Sequence, residues 1–136
     1  MRLDRIAGAA VVAMVGSLLL SPPIVAHHSF ASTYYQDRTV KIEGKIAQFL
    51  FRNPHSFVHV MAPDESGTMQ RWNVEWGGAG QLGGQGVARD TLKPGDPVII
   101  TGNPGRNPPD RRIRMLTLRR TSDGFGWGTA PGQTVD

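Results

Sequence analysis

The chain has 136 residues, with 15 Lys+Arg against 11 Asp+Glu, four His, 17 Gly, 10 Pro and no Cys. Without a thiol there is no disulfide scaffold, zinc–thiolate centre, iron–sulfur cluster or cysteine nucleophile. After Leu20 no run approaches the roughly 20 apolar residues of a membrane span, which excludes a polytopic membrane protein.

Met1 to Ala26 reads as a secretory signal peptide. Arg2 and Arg5 form a basic start, Ala7 to Leu20 an uncharged apolar core, and Ser21-Pro22-Pro23 a helix break before the small residue Ala26. Cleavage after Ala26 leaves 110 residues with a net charge of +3, enough for one core and too few for two domains of usual size. A lipoprotein is excluded, because no Cys is present for acylation. The expectation is a periplasmic or secreted protein with no transmembrane span in its mature chain. It divides into a leader (1–26), an N-terminal extension (27–39), a barrel domain (40–120) and a flexible tail (121–136) rich in Gly, Thr and Pro.

Strand signals are short and frequent. Val40 to Phe51 begins with an alternating run, Val40, Ile42, Gly44 and Ile46, and ends at the Asn53-Pro54 breaker. Ser56 to Met61 is rich in β-branched and aromatic residues and closes on Pro63-Asp64-Glu65-Ser66-Gly67. Gln70 to Trp76 places Trp72, Val74 and Trp76 on one face and Arg71, Asn73 and Glu75 on the other. Val98 to Thr101, after the Pro94-Gly95-Asp96 turn, and Arg112 to Arg120 complete five strands. Between the third and fourth strands, six of the ten residues Gly77 to Gly86 are Gly, so a flexible connection or at most a marginal helix is expected. No Gly-Lys-Ser/Thr follows, which argues against a phosphate loop. Five short strands with such a link predict an all-β, OB-like five-stranded barrel, with a small open β-sandwich as the alternative.

Ala26-His27-His28-Ser29-Phe30, Asn53-Pro54-His55, the Trp72…Glu75 pair and Leu92-Lys93-Pro94-Gly95-Asp96 resemble a family of small exported bacterial proteins of unknown function. The resemblance spans residues 26 to 124 and implies one all-β domain behind a signal peptide. It implies no activity. The glycines of 77–86 depart from the family pattern and put the helix between the third and fourth strands in doubt.

Cleavage after Ala26 would make His27 the chain terminus. A terminal His offers its amine and its ring to one metal, the N-rich tetragonal arrangement that Cu(II) prefers. The amine's ordinary pKa of about 7.7–8.0 leaves it partly deprotonated near neutrality. His28 and His55 are the candidate partners. On a strand, His55 and His59 would lie about 13 Å apart, so at most one of them joins such a site. His55, at a strand entrance after Asn53-Pro54, is the better placed; His59 shares a face with Phe57 and Met61 and reads as a half-buried strand residue. The plain alternative is a solvated His-His start and a turn-bonding His55. Met61 is a candidate soft thioether, though a strand Met is commonly core filler.

A metal-free reading uses other residues. Trp72 and Trp76 could stack a ring or line the barrel, and Arg112 and Arg114 belong to the densest basic segment. Partners of that surface would be an envelope protein, a lipid or a polysaccharide. Nucleic acid is disfavoured because an exported protein seldom meets it. Glu75 has Arg71 as its expected surface neighbour, and no Gly-x-Ser-x-Gly elbow is present. A binding protein, with copper as its candidate cofactor, is therefore expected ahead of an enzyme, a copper oxygenase being the enzymatic alternative.

Overall fold

A computed structural model describes residues 29–135 of the chain. A one-turn helix α1 (Phe30–Thr33) precedes β1 (Val40–Leu50), β2 (Ser56–Pro63) and β3 (Met69–Trp76). A short helix α2 (Ala79–Gly84) leads to β4 (Pro97–Pro104), a 3-10 turn (Pro108–Asp110), β5 (Arg112–Arg120) and a two-residue β6 (Gly126–Trp127). No helix among the described residues is long and apolar enough to cross a membrane.

The strands lie in the order β3-β2-β1-β4-β5-β6, and an additional β3–β5 pairing closes the first five into a barrel. That closing seam is parallel and pairs Asn73 with Arg112, Val74 with Ile113 and Glu75 with Arg114. The closure decides for the OB-type barrel and against the open sandwich. β1 serves two neighbours. Val40 to Lys45 pair with β4, and Lys45 to Leu50 pair with β2 across a register shift between Ile46 and Gln48. At the handover sits Gly44, where a Cβ would collide with the Met61 carbonyl oxygen. Only glycine lets β1 coil so closely past β2.

The period-2 pattern fills the interior with Ile42 and Ile46, Val58 and Val60, Val74 and Trp76, Val98 and Ile100, and Ile113 and Met115, each at most 5% exposed. One end of the barrel, where β3 ends and β4 begins, is plugged by Leu82 of α2 together with Val87 and Leu92. Of the two forms expected for the glycine-rich link, the short helix is the one observed, with α2 covering six of its residues. Its hold is Leu82, fully buried, supported by the Leu82 N–H bond to the Gly78 carbonyl at 2.9 Å.

The tail is also ordered, contrary to its composition. Trp127 pairs with Leu118 as part of β6, and Trp127 and Val135 are almost fully buried. The Trp127 ring meets Trp76 edge-on at 5.2 Å, and its Nε1 donates to Gln85 Oε1 at 2.8 Å. Gly128 lies at φ 92° where a Cβ would strike the Leu116 carbonyl, which fixes the turn after β6. Arg120 binds Asp96 at 2.9 Å and Asp123 at 2.8 Å, so the start of β4, the end of β5 and the tail share one charge cluster.

A tail that belongs to the core should act in the same unfolding transition. Trp127→Ala is expected to cost about 3–5 kcal/mol in chemical denaturation, the usual loss for a buried aromatic. A loss under about 1 kcal/mol would show that the tail is not part of the cooperative unit.

Candidate functional site

Glu75 points away from the barrel interior, since its strand neighbours Val74 and Trp76 point inward, yet it is only 6% exposed. The cover is the segment that carries α1. Tyr34 donates its phenolic proton to Glu75 Oε2, and Arg112 Nη2 reaches the same oxygen at 2.6 Å. On the other side His55 Nδ1 lies 3.5 Å from Oε1. One carboxylate thus gathers residues from the N-terminal segment, the β1–β2 connection and the start of β5.

Backbone bonds hold the covering segment in place. The Tyr34 N–H donates to the Phe30 carbonyl at 2.7 Å, Tyr35 N–H to Pro104 at 3.0 Å, and Arg106 N–H to Thr33 at 2.8 Å. Arg106 Nε adds a bond to the Ala31 carbonyl at 2.7 Å. The Phe30 ring stands edge-on to His55 with centroids 5.6 Å apart, and Arg114 Cζ lies 4.1 Å from the Phe30 centroid. Burial pushes the Tyr34 phenol well above its ordinary range, and its bond to the Glu75 anion acts in the same direction.

His55 follows a cis Asn53-Pro54 peptide. Its Nδ1 is buried and, at 3.5 Å from Glu75, beyond a good hydrogen bond, so it has no hydrogen-bond partner among the described residues. The side chain as a whole is 30% exposed. His59 goes elsewhere. It is half-buried on the outer face, as its strand position predicts, with Nδ1 against Arg71 Nη2 and 3.3 Å from Gln48 Oε1.

Of the residues singled out in the sequence, His27 and His28 lie outside the described residues. His55 sits in the Glu75 cluster and Arg112 is a principal member of it. Arg114 stacks on Phe30 and donates to the Val135 carbonyl. Trp76 is not a ligand surface. It is fully buried against Phe49 and Trp127, because the inward face of β3 is barrel core. Trp72, on the same face but nearer the open end, is half-buried and donates from Nε1 to the Ala62 carbonyl at 3.2 Å. Arg71 is not the partner of Glu75, since it reaches across the sheet to His59 on β2 and Gln48 on β1. Among the described residues, no group of three or more His, Cys, Asp and Glu is placed to hold a metal.

The Tyr34–Glu75–Arg112 cluster is what sequence reasoning missed. The signal was Glu75 between two core residues and inside the Trp72…Glu75 pair. What covers it comes from 41 residues upstream and 37 downstream, and no local pattern shows that.

Beside the cluster runs an open groove of about 530 Å³ lined by Leu50, Arg52, Phe57, His59, Asn73, Asp110 and Arg112. Arg52 and Arg112 place their Cζ atoms 5.4 and 5.8 Å from the Phe57 centroid. His59 is held below the ordinary histidine range by partial burial and by the charges of Arg71 and Arg52.

The profile of a protein family described as "Family of unknown function (DUF6152)" matches residues 16–112, and the chain belongs to that family. No curated protein and no solved structure matches it.

Tyr34→Phe keeps the ring and removes the bond to a buried anion, so it should cost about 1.5–3 kcal/mol in denaturant titration. An unchanged stability would mean that the carboxylate is solvated in the protein. For His59 the folded pKa lies below the unfolded value of about 6.5, so the penalty of protonating it is absent above that pH and grows as the pH falls. His59→Gln should therefore flatten the decline of thermal stability between about pH 7 and pH 5. An identical slope in the two proteins would assign the decline to other groups.

Proposed function

We propose that this chain is a small exported binding protein that takes one Cu(II) ion at the junction of its N-terminal segment with the barrel. The ligands are the amine and ring of His27, exposed by cleavage after Ala26, with His28 and His55. The observation that carries the reading is the edge-on contact of Phe30 with His55 at 5.6 Å. Phe30 follows His27 by three residues, and an extended chain covers about 3.3–3.6 Å per residue. The tether therefore keeps His27 and His28 within reach of His55.

Chemistry supports the same assignment. With Nδ1 buried against Glu75, Nε2 is the His55 nitrogen left for a metal. A carboxylate that accepts the other N–H of a ligating imidazole orients the ring, fixes its tautomer and raises its basicity, and Glu75 Oε1, 3.5 Å from Nδ1, would take that bond by closing a few tenths of an ångström on metal binding. Glu75 is in turn held by Tyr34 and Arg112. It is a positioning residue in this reading, and it does not touch the metal. Carriage or sensing of copper follows more readily from such a site than turnover, because the described residues around it supply no nucleophile aligned with a base.

The test is native mass spectrometry of protein recovered from the exported fraction, with and without copper, backed by electron paramagnetic resonance. A mass starting at His27 with one retained copper and a nitrogen-rich tetragonal spectrum is expected. Deleting His27-His28 should abolish retention, and His55→Ala should alter the nitrogen hyperfine pattern. Unchanged copper affinity in the deletion variant, or an intact leader in the exported protein, would overturn the proposal.

A further inference from the structure

The barrel has two unlike ends. Leu82, Val87 and Leu92 plug one; the other is the rim where β1 begins, β4 ends and β5 begins, the Val40↔Gly102 and Pro104↔Ile113 pairings bringing those ends together. At that rim lies a pocket of about 640 Å³. Tyr35, Val40 and Trp72 contribute its walls, and Arg38, Arg111 and Arg112 also line it. The volume falls within the range of about 300–1,000 Å³ typical of small-molecule sites, which favour barrel mouths with a few convergent polar groups.

Three features point to a built site. Trp72 Nε1 is already committed to the Ala62 carbonyl at 3.2 Å, so the indole can offer its apolar surface without stranding a donor. Arg38 Cζ is stacked 4.1 Å from the Tyr35 centroid, Arg106 Cζ lies 4.5 Å from the same centroid, and the buried Asn103 donates to the Arg38 carbonyl at 2.8 Å, so both the backbone and the guanidinium of Arg38 are located in advance. Arg111 is the third. It is the single described non-glycine residue with positive φ, at 45°, and it is held there by Asn73 N–H to its carbonyl at 2.9 Å. Glycine would adopt that backbone without strain. An arginine accepting the strain places a cation at the rim, as strained residues at ligand sites do.

The charge is unbalanced. Among the described residues no carboxylate pairs with Arg38 or Arg111, and Arg111 Nη1 donates to the Pro109 carbonyl at 3.5 Å. Arg112 keeps Glu75 as its partner, and Glu65 is the one acid in the lining. Planar forks of donors over an aromatic wall match a flat apolar body that ends in a carboxylate. We infer that this rim pocket binds small aromatic carboxylates, with Trp72 and Val40 packing the ring and Arg38 and Arg111 taking the carboxylate. The inference does not rest on the copper reading.

The test uses the purified full-length protein with a chelator present, so that copper plays no part. 2-Naphthoate is titrated by NMR while the Trp72 indole N–H and the Arg38 and Arg111 resonances are followed. Saturable shifts at those groups are expected. The neutral 2-naphthamide and inorganic phosphate should each bind at least about tenfold more weakly, the loss that follows from removing a charged hydrogen-bonded group or the apolar body. Arg111→Gly relieves the backbone and keeps the fold, so retained thermal stability with at least about tenfold weaker naphthoate binding is the expected pair of results. Arg38→Gln should weaken binding likewise. Absence of saturable shifts, equal binding of the amide or of phosphate, or wild-type affinity in Arg111→Gly would overturn it.

Discussion

A carboxylate withdrawn from water on the outside of a β-barrel needs partners, and Glu75 obtains them from three distant parts of the chain. A buried carboxylate with its partners removed would be strongly unfavourable, so the Tyr34, Arg112 and His55 positions are constrained together. The location matters. β3 and β5 meet in a parallel seam of only three register pairs, and Glu75 and Arg112 belong to opposite sides of it. The same ion pair therefore reinforces the closure of the barrel and anchors the N-terminal segment through Tyr34. Without that segment the carboxylate would lie open to solvent on the outer face, and the Phe30 contact that frames His55 would be lost with it.

The asymmetry between the two ends of the barrel follows from what each end can bury. At the α2 end the chain supplies Leu82, Val87, Leu92 and, from the tail, Trp127, all within the hydrophobic core. The opposite end has Trp72, half-buried, and a ring of arginines that cannot be drawn inside without counter-charges. The first end is a seal and the second a mouth. Arg112 lines the mouth and gives its guanidinium to Glu75, so the two regions share one residue.

Much of this was legible locally. The alternation Ile42, Ile46 in β1 and Trp72, Val74, Trp76 in β3 marks strands whose inward faces are those observed, because the side-chain period of a strand is written directly into neighbouring residues. The Arg112–Arg120 strand matches its expected bounds. The order of the tail and of the glycine-rich link is hard to read from composition for a common reason. Each is organised by one or two large side chains, Trp127 with Val135 in the first and Leu82 in the second, against a background of Gly, Pro and Thr. Composition averages over such anchors, whereas packing depends on them individually.

The candidate site divides along the same line. Residue type and order alone determined an all-β chain of five short strands, fitting an OB-like barrel or an open sandwich, the inward and outward faces of the first three, and a short list of chemically capable histidines and arginines. These are properties of windows a few residues long, where backbone geometry couples neighbours. Only the tertiary structure decided that Glu75 is buried, that Arg112 and Tyr34 and not Arg71 satisfy it, that Trp76 is core, and that Arg111 stands strained at a rim pocket. Those outcomes depend on how the barrel closes and on which segment then lies across its surface. Closure brings β3 against β5 and the 29–35 segment over both, pairings between residues some forty positions apart that no local period encodes.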